Sequence, residues 1–236
     1  MPFKLIVQLS VRNLFRYPRR NGLLLAAIAF ALAGATLTNS LMRGWQYDML
    51  DRAVENLVGH VKVQASEYRD DPNMAHSFAL PANYEPKISG VEVAGWAPRI
   101  KVPAVILSER QSRGVQLVGI DPARENISFF SELAFAGETL ADIDDGRIVI
   151  GAELARQLQT AVGRKLVVLS QGADGKNRER GFRIAGTFDA DGTSLEKAFA
   201  FTGLAATQAF LGDRSSDSAP PLVTEVSLLL ADELRR

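Results

Sequence analysis

Cysteine is absent from the sequence, and histidine is confined to His60 and His76. The first absence excludes disulfides and thiolate chemistry, and does not identify a redox compartment. Two isolated histidines are too few for a zinc site of ordinary ligand spacing. His60, at the start of a strand-like run, reads as structural. Net charge is also missing: 27 Lys and Arg stand against 27 Asp and Glu, which gives no argument for nucleic acid as a partner. There is no GxxxxGK[ST] loop and no GxSxG elbow, so a P-loop ATP site and a hydrolase nucleophile of those types are excluded. Gly172 to Lys176 (GADGK) lacks the P-loop spacing and reads as a hairpin turn. Asp142-Ile143-Asp144-Asp145-Gly146 and Asp189-Ala190-Asp191-Gly192 lack the alternate ligands of a calcium loop and read as solvated turns. No metal, cofactor or catalytic constellation is expected.

Acids are missing locally as well. Residues 1–20 hold Lys4, Arg12, Arg16, Arg19 and Arg20 and no Asp or Glu. From Gly22 to Met42 (GLLLAAIAFALAGATLTNSLM) there is no charge of either sign. An apolar run of about twenty residues is what an α-helix needs to cross a bilayer. The basic flank predicts a cytoplasmic N-terminus and an external location for everything after Met42. The same flank suits an anionic membrane surface. A cleaved signal peptide is the competing reading, since Ala31-Leu32-Ala33 and Ala33-Gly34-Ala35 offer small-x-small sites and a mature start near Thr36. Against it, the run continues past those alanines, and Trp45 and Tyr47 follow as interfacial anchors. A retained span is expected.

Lys4, Gln8, Arg12 and Arg16 recur every fourth residue, which predicts a basic amphipathic helix over Pro2 to Phe15, broken at Tyr17-Pro18. Beyond the span, Trp45, Met49, Leu50, Ala53, Val54 and Leu57 keep three- and four-residue steps, a helical stalk that stops at Gly59. Within the span, Ala27, Ala31, Gly34 and Thr38 share a small-residue face suited to helix packing.

After Gly59 the pattern turns to short strands: His60 to Ala65, Val91 to Trp96, Ala104 to Ser108, Val115 to Ile120, Arg147 to Ile150, Lys165 to Ser170, Phe182 to Phe188, Ala198 to Phe201 and Thr224 to Leu230. Helices are predicted at Glu153 to Thr160 and Leu204 to Leu211, with some helix near Met74 to Leu80. Glu125 to Phe135 is ambiguous. Many strands with few helices predict an α+β fold. The division is 1–20, an amphipathic helix at the cytoplasmic face; 21–58, transmembrane helix and stalk; and 59–236, a mixed α/β extracytoplasmic domain of one or two lobes.

Residues Arg12 to Arg20 (RNLFRYPRR), the span, the stalk and Gly59-His60-Val61-Lys62-Val63 resemble the N-terminal part of MacB/FtsX-type ABC transporter permeases. Gly119-Ile120-Asp121-Pro122 is similar to that family's glycine-hydrophobic-Asp-Pro turn. Ile148 to Ala155 (IVIGAELA) resembles its strand-to-helix signature, and Phe182 to Phe188 the strand that follows. Glu67 to Pro72 after Gly59-His60 looks closest to LolC- and LolE-like permeases of lipoprotein release. The resemblance implies a bacterial inner-membrane permease with a periplasmic, MacB-like core domain. Its partners would be a separate cytoplasmic ATPase, a second permease copy or paralogue, and a lipoprotein or periplasmic adaptor. This chain would not itself be an enzyme. Two departures stand out. Gly163-Arg164 replaces the family's usual Gly-Asp, and no apolar stretch after Met42 is long enough to span, so the chain is expected to be the N-terminal portion of a permease. The alternative is a single-span, membrane-anchored binding module without transport activity.

Overall fold

The computed structural model describes residues 16–53, 61–81, 84–88, 91–190, 194–212 and 221–231, with the backbone alone at 43–53, 129 and 132. The amphipathic helix expected over Pro2 to Phe15 and the stop at Gly59 lie outside these residues, as does His60. The chain divides into two units, Met1–Arg52 and Ala53–Arg236.

The described part of the first unit is formed by helix α1, Pro18–Ala53, of 36 residues, whose last residue is counted with the second. Proline suits the first helical position because its fixed φ is helical and its missing N–H has no partner to lose there. The first intrahelical bond runs from Asn21 N–H to the Tyr17 carbonyl at 3.1 Å. Arg19 and Arg20 therefore sit in the first turn. At 1.5 Å per residue α1 is about 54 Å long, well beyond a hydrocarbon core of about 30 Å. Pro18–Met42 is long and apolar enough to cross a membrane, and none of it is buried within the chain. The helix then continues to Ala53, as the amphipathic pattern past Met42 predicts.

The second unit is built on strands β1 (Val61–Gln64), β2 (Phe78–Ala79), β3 (Val93–Leu107), β4 (Ser112–Ile120), β5 (Ala134–Gly137), β6 (Ile148–Gly151), β7 (Lys165–Gln171), β8 (Asn177–Asp189), β9 (Phe199–Gly203), β10 (Leu222–Val223) and β11 (Glu225–Leu230). Helices α2 (Ala152–Gln157), α3 (Leu195–Ala198) and α4 (Leu204–Leu211) connect some of them. The mixed α/β character expected from the pattern is present.

The main sheet closes on itself. β3 pairs with β4, β4 with β9, β9 with β6, β6 with β8, β8 with β7, and β7 returns to β3. β4–β9 and β6–β8 are parallel; the other pairs are antiparallel. β11 and then β1 extend from the first half of β3, and β5 extends from β8. Side-chain alternation sorts the core. Ile148 and Ile150 of β6 join Ile100, Val102, Leu117 and Phe182 in one cluster, whereas Val149 between them joins Val118, Phe188 and Phe201 in another. A run apolar at every position, such as Ile148-Val149-Ile150, is the signature of a strand covered on both faces.

One expectation needs correction. Val91 to Trp96 and Ala104 to Ser108 are not two strands; both belong to the 15-residue β3, which runs through Pro98 and Pro103. Pro98 lies just before β4 pairing begins at Arg99. On the opposite edge, β11 pairs up to Arg99 and β7 only from Ala104, leaving a gap. Side chains fill it. The Arg99 carbonyl accepts from Thr224 N–H at 3.0 Å, Lys101 N–H donates to Thr224 Oγ1 at 2.8 Å, and Tyr68 Oη donates to the Lys101 carbonyl. Ser170 Oγ donates to the Pro103 carbonyl at 2.7 Å. A missing N–H at Pro103 thus leaves no partner unserved, which is the only setting in which a sheet tolerates proline. Two further segments, one expected to hold some helix and one ambiguous in the sequence, take these forms. Met74 to Leu80 forms a short 3-10 turn (Met74–His76) and then β2, and Glu125 to Phe135 holds two 3-10 turns before β5.

Candidate membrane anchor and buried charge cluster

At the start of α1 the guanidinium groups of Arg16 and Arg20 lie 5.8 and 5.3 Å from the centre of the Tyr17 ring. Cation–π attraction gathers both charges around an exposed aromatic side chain. Lys4 and Arg12 lie outside the described residues. Trp45 and Tyr47 fall within α1, beyond the end of its apolar stretch at Met42. Ala27, Ala31, Gly34 and Thr38 fall on one helix face, all exposed within the chain. Thr38 Oγ1 donates to the Gly34 carbonyl at 2.9 Å, and Thr36 Oγ1 to that of Leu32 at 2.8 Å. Both hydroxyls are thereby satisfied without leaving the helix, the usual behaviour of threonine in an apolar surrounding.

In the domain, several of the stretches used for the resemblance have a structural reason. Asp121 Oδ1 accepts from Ala123 N–H at 3.1 Å, and the Asp121 carbonyl from Arg124 N–H at 2.9 Å, so Asp121-Pro122 is an Asx turn closing β4. Gly119 precedes it because a Cβ there would stand 2.4 Å from Thr207 Oγ1 on α4. Gly151 joins β6 to α2, and its Cβ would stand 2.0 Å from the Glu196 carbonyl oxygen. The buried Glu196 carboxylate accepts from Glu153 N–H at 3.2 Å and from Ala190 N–H at 3.0 Å, tying α2 to the end of β8. Gly163 has φ +85°, and Arg164 N–H bonds the Ala161 carbonyl at 3.1 Å. The turn needs the glycine and no aspartate after it. Tyr68, from the stretch similar to LolC and LolE, is 5% exposed and turned inward onto Lys101. Burial pushes its phenol up to about 12.

Pattern reading missed the most unusual group in the domain. Arg99 on β3 is fully buried, and its guanidinium forks onto Glu125, Nε to Oε1 at 2.6 Å and Nη2 to Oε2 at 2.8 Å. Ser128 Oγ donates to Glu125 Oε2 at 2.6 Å, and Arg99 Nη1 donates to Ser227 Oγ at 3.0 Å. Glu225, 1% exposed, holds Lys62 at 3.1 Å through Oε2 and stands 3.8 Å from Arg99 Nη1 through Oε1, which has no hydrogen-bond partner among the described residues. Lys101 lies 5.3 Å above the Phe199 ring, its pKa lowered by burial and partly restored by the Glu225 charge. The available signal was a charge set inside a β-patterned apolar stretch, in Trp96-Ala97-Pro98-Arg99-Ile100 and again in Val223-Thr224-Glu225-Val226.

The Arg99–Glu125 pair is structural in character: its charges are paired and enclosed. Among the described residues no set of His, Asp and Glu is grouped to hold a metal ion. Asp145, in one of the acidic clusters, instead takes Arg147 at 3.0 and 2.8 Å and the Ala141 N–H at 3.0 Å. The Arg147 hydrogen bond chiefly holds its carboxyl down at about 2.

None of the curated proteins matches this chain. Among solved structures, the crystal structure of the extracellular domain of the noncanonic ABC-type transporter YknZ from Gram-positive bacteria is 13% identical. It aligns over 74% of this chain and 86% of its own, with a TM-score of 0.46. A domain described as belonging to a permease protein of Porphyromonas gingivalis is 20% identical over 60% of this chain and 58% of its own, with a TM-score of 0.34. The assignment rests on neither. The sequence profile of the MacB-like periplasmic core domain matches residues 22–233, which takes in the apolar helix and the closed sheet together. The chain belongs to the MacB-like periplasmic core domain family.

Proposed function

We propose that this chain is the membrane subunit, or the N-terminal portion of one, of an ABC-type transporter whose ATP is hydrolysed by a separate cytoplasmic subunit. The observation that carries the reading is the continuity of the family match across a membrane-length helix and an external domain. In this reading α1 spans the bacterial inner membrane with its N-terminus in the cytoplasm. Arg16, Arg19 and Arg20 hold that end by the excess of cytoplasmic positive charge. The permease works as a dimer, and movements of the helix reach the domain through β1, the first strand after it. The finer proposal is lipoprotein release or export, supported by the likeness of Glu67 to Pro72 to LolC and LolE.

The lack of cysteine makes topology direct to test. Single substitutions Ser10→Cys and Ser112→Cys are probed in intact cells with a membrane-impermeant maleimide. Labelling of Ser112→Cys alone supports the orientation, and labelling of Ser10→Cys alone overturns it. An ATPase that co-purifies with the native-length protein from mild detergent supports the transporter reading. A native-length protein that is monomeric and free of ATPase overturns it, and leaves the membrane-anchored binding module.

A further inference from the structure

Positive charge is spread unevenly over the domain. Arg110 and Arg113 come from the β3–β4 turn and the start of β4, Arg164 and Lys165 from the turn into β7, and Arg183 from β8, where it is the register partner of Lys165. All are exposed, and none forms an ion pair among the described residues. Several other cations of the domain, Lys62, Arg99, Arg124, Arg147, Arg156 and Arg178, have a carboxylate within 4 Å. The turn holds the unpaired group in place: Arg113 Nε donates to Gln157 Oε1 at 3.2 Å, Ser108 Oγ to the Leu158 carbonyl at 2.7 Å, and Arg183 Nη1 to the Gly163 carbonyl at 3.1 Å. A cavity of about 360 Å³ opens between them, lined by Ser108, Arg110, Gln159, Arg164 and Lys165 and by one acid, Glu109.

The same face turns apolar within two residues of Lys165. Outward positions of β7 and β3 place Val167 beside Leu107 and Leu169 beside Val105. Val105, Leu107 and Val167 are 38%, 37% and 39% exposed, and Pro103, Val105 and Leu169 line a groove of about 580 Å³. Lys165 to Leu169 spans about 13 Å along the strand. Unpaired cations at one end of an uncovered apolar strip fit one kind of molecule.

We propose that this face of the domain binds an amphiphile with an anionic head group, the head among Arg110, Arg164 and Lys165 and the acyl chain along Val167, Leu107, Leu169 and Val105. Apolar burial supplies affinity and the cations supply orientation. An acidic peptide would engage the cations and leave the strip uncovered, so the amphiphile accounts for more of the face. The proposal goes beyond the transport reading and does not depend on an ATPase.

The test uses the full chain in phosphatidylcholine nanodiscs, titrated with dihexanoyl phosphatidylglycerol or dihexanoyl phosphatidylcholine below their micellar concentrations. Hydrogen exchange is read over residues 104–115 and 161–171. The anionic lipid is expected to protect both segments, with the zwitterionic one about tenfold weaker. The surface variant Arg110→Gln/Arg164→Gln/Lys165→Gln should erase that difference, and Leu107→Ser/Val167→Ser should weaken both lipids. Equal binding of the two lipids, no protection, or an unaffected triple variant overturns the proposal. So does equal protection by inorganic phosphate or polyglutamate that is insensitive to Leu107→Ser/Val167→Ser, which would make the face a simple anion or acidic-peptide site.

Discussion

Arg99 and Glu125 face each other as a bidentate pair, 2.6 and 2.8 Å apart, with both side chains buried. One comes from the longest strand and the other from the 3-10 turn after β4, so the pair pins a loop segment to the sheet. Removing one partner leaves an uncompensated buried charge, which costs about 3–5 kcal/mol. Glu125→Ala should therefore lower stability by about that much in urea denaturation. Arg99→Met/Glu125→Leu should recover much of the loss, because an apolar pair of similar volume needs no charge compensation.

The Tyr68 hydroxyl serves the Lys101 carbonyl in the gap between β11 and β7. Its pKa is raised from 10.0 to about 12, chiefly by burial. A raised folded-state pKa means that the folded protein holds the proton more tightly than the unfolded chain. The contribution is complete below pH 10 and is lost as pH rises towards 12. Tyr68→Phe should cost about 1 kcal/mol at neutral pH, from the unserved carbonyl, and should flatten this alkaline fall in melting temperature.

Gly151 has no room for a side chain, since a Cβ would stand within 2.5 Å of three Glu196 backbone atoms. Gly151→Ala should destabilise by about 1–3 kcal/mol through forced backbone shifts. Glu196→Gln keeps the backbone contact but sets an amide NH2, which cannot accept, against one of the two N–H groups, so it too should lower the melting temperature, by the cost of about one buried unsatisfied donor.

Gly163 and Arg164 separate conformation from side-chain chemistry. Gly163→Ala at φ +85° should cost about 1–2 kcal/mol, the penalty of a left-handed residue with a Cβ. Arg164→Asp, which restores the family's usual pair, should stay within about 0.5 kcal/mol because the exposed side chain carries no part of the turn. Paired melting curves for the two variants check this.

What was legible follows from how local each signal is. Leu204–Leu211 is a helix within the bounds that its pattern predicts, and Gly172 to Lys176 is the turn joining β7 to β8, because both depend on neighbours in sequence. β3 reads as two strands because what lets it run through its prolines is remote in sequence: Pro98 lies just outside the β4 ladder, and Thr224, Tyr68 and Ser170 serve the gap that holds Pro103. β5 carries no β-branched residue and pairs only because β8 supplies an edge. The ring is invisible for the same reason: no local pattern says that β7 returns to β3. Arg16, Arg19 and Arg20 stand out in the sequence by charge asymmetry alone. Arg99, Glu125 and Glu225 do not, since nothing short of the fold brings positions 99, 125 and 225 together.

Closure of the sheet also bears on solubility. A ring has no free margin, so the strand order leaves β1 and β5 as the terminal strands of the main sheet. Each is four residues long. A stranger chain seeking to add itself to this sheet finds only a short ladder, with Lys62 set into one of the two. Short or charged margins are how β-proteins discourage runaway stacking. A domain built this way is shielded from polymerising through the framework that gives it its shape.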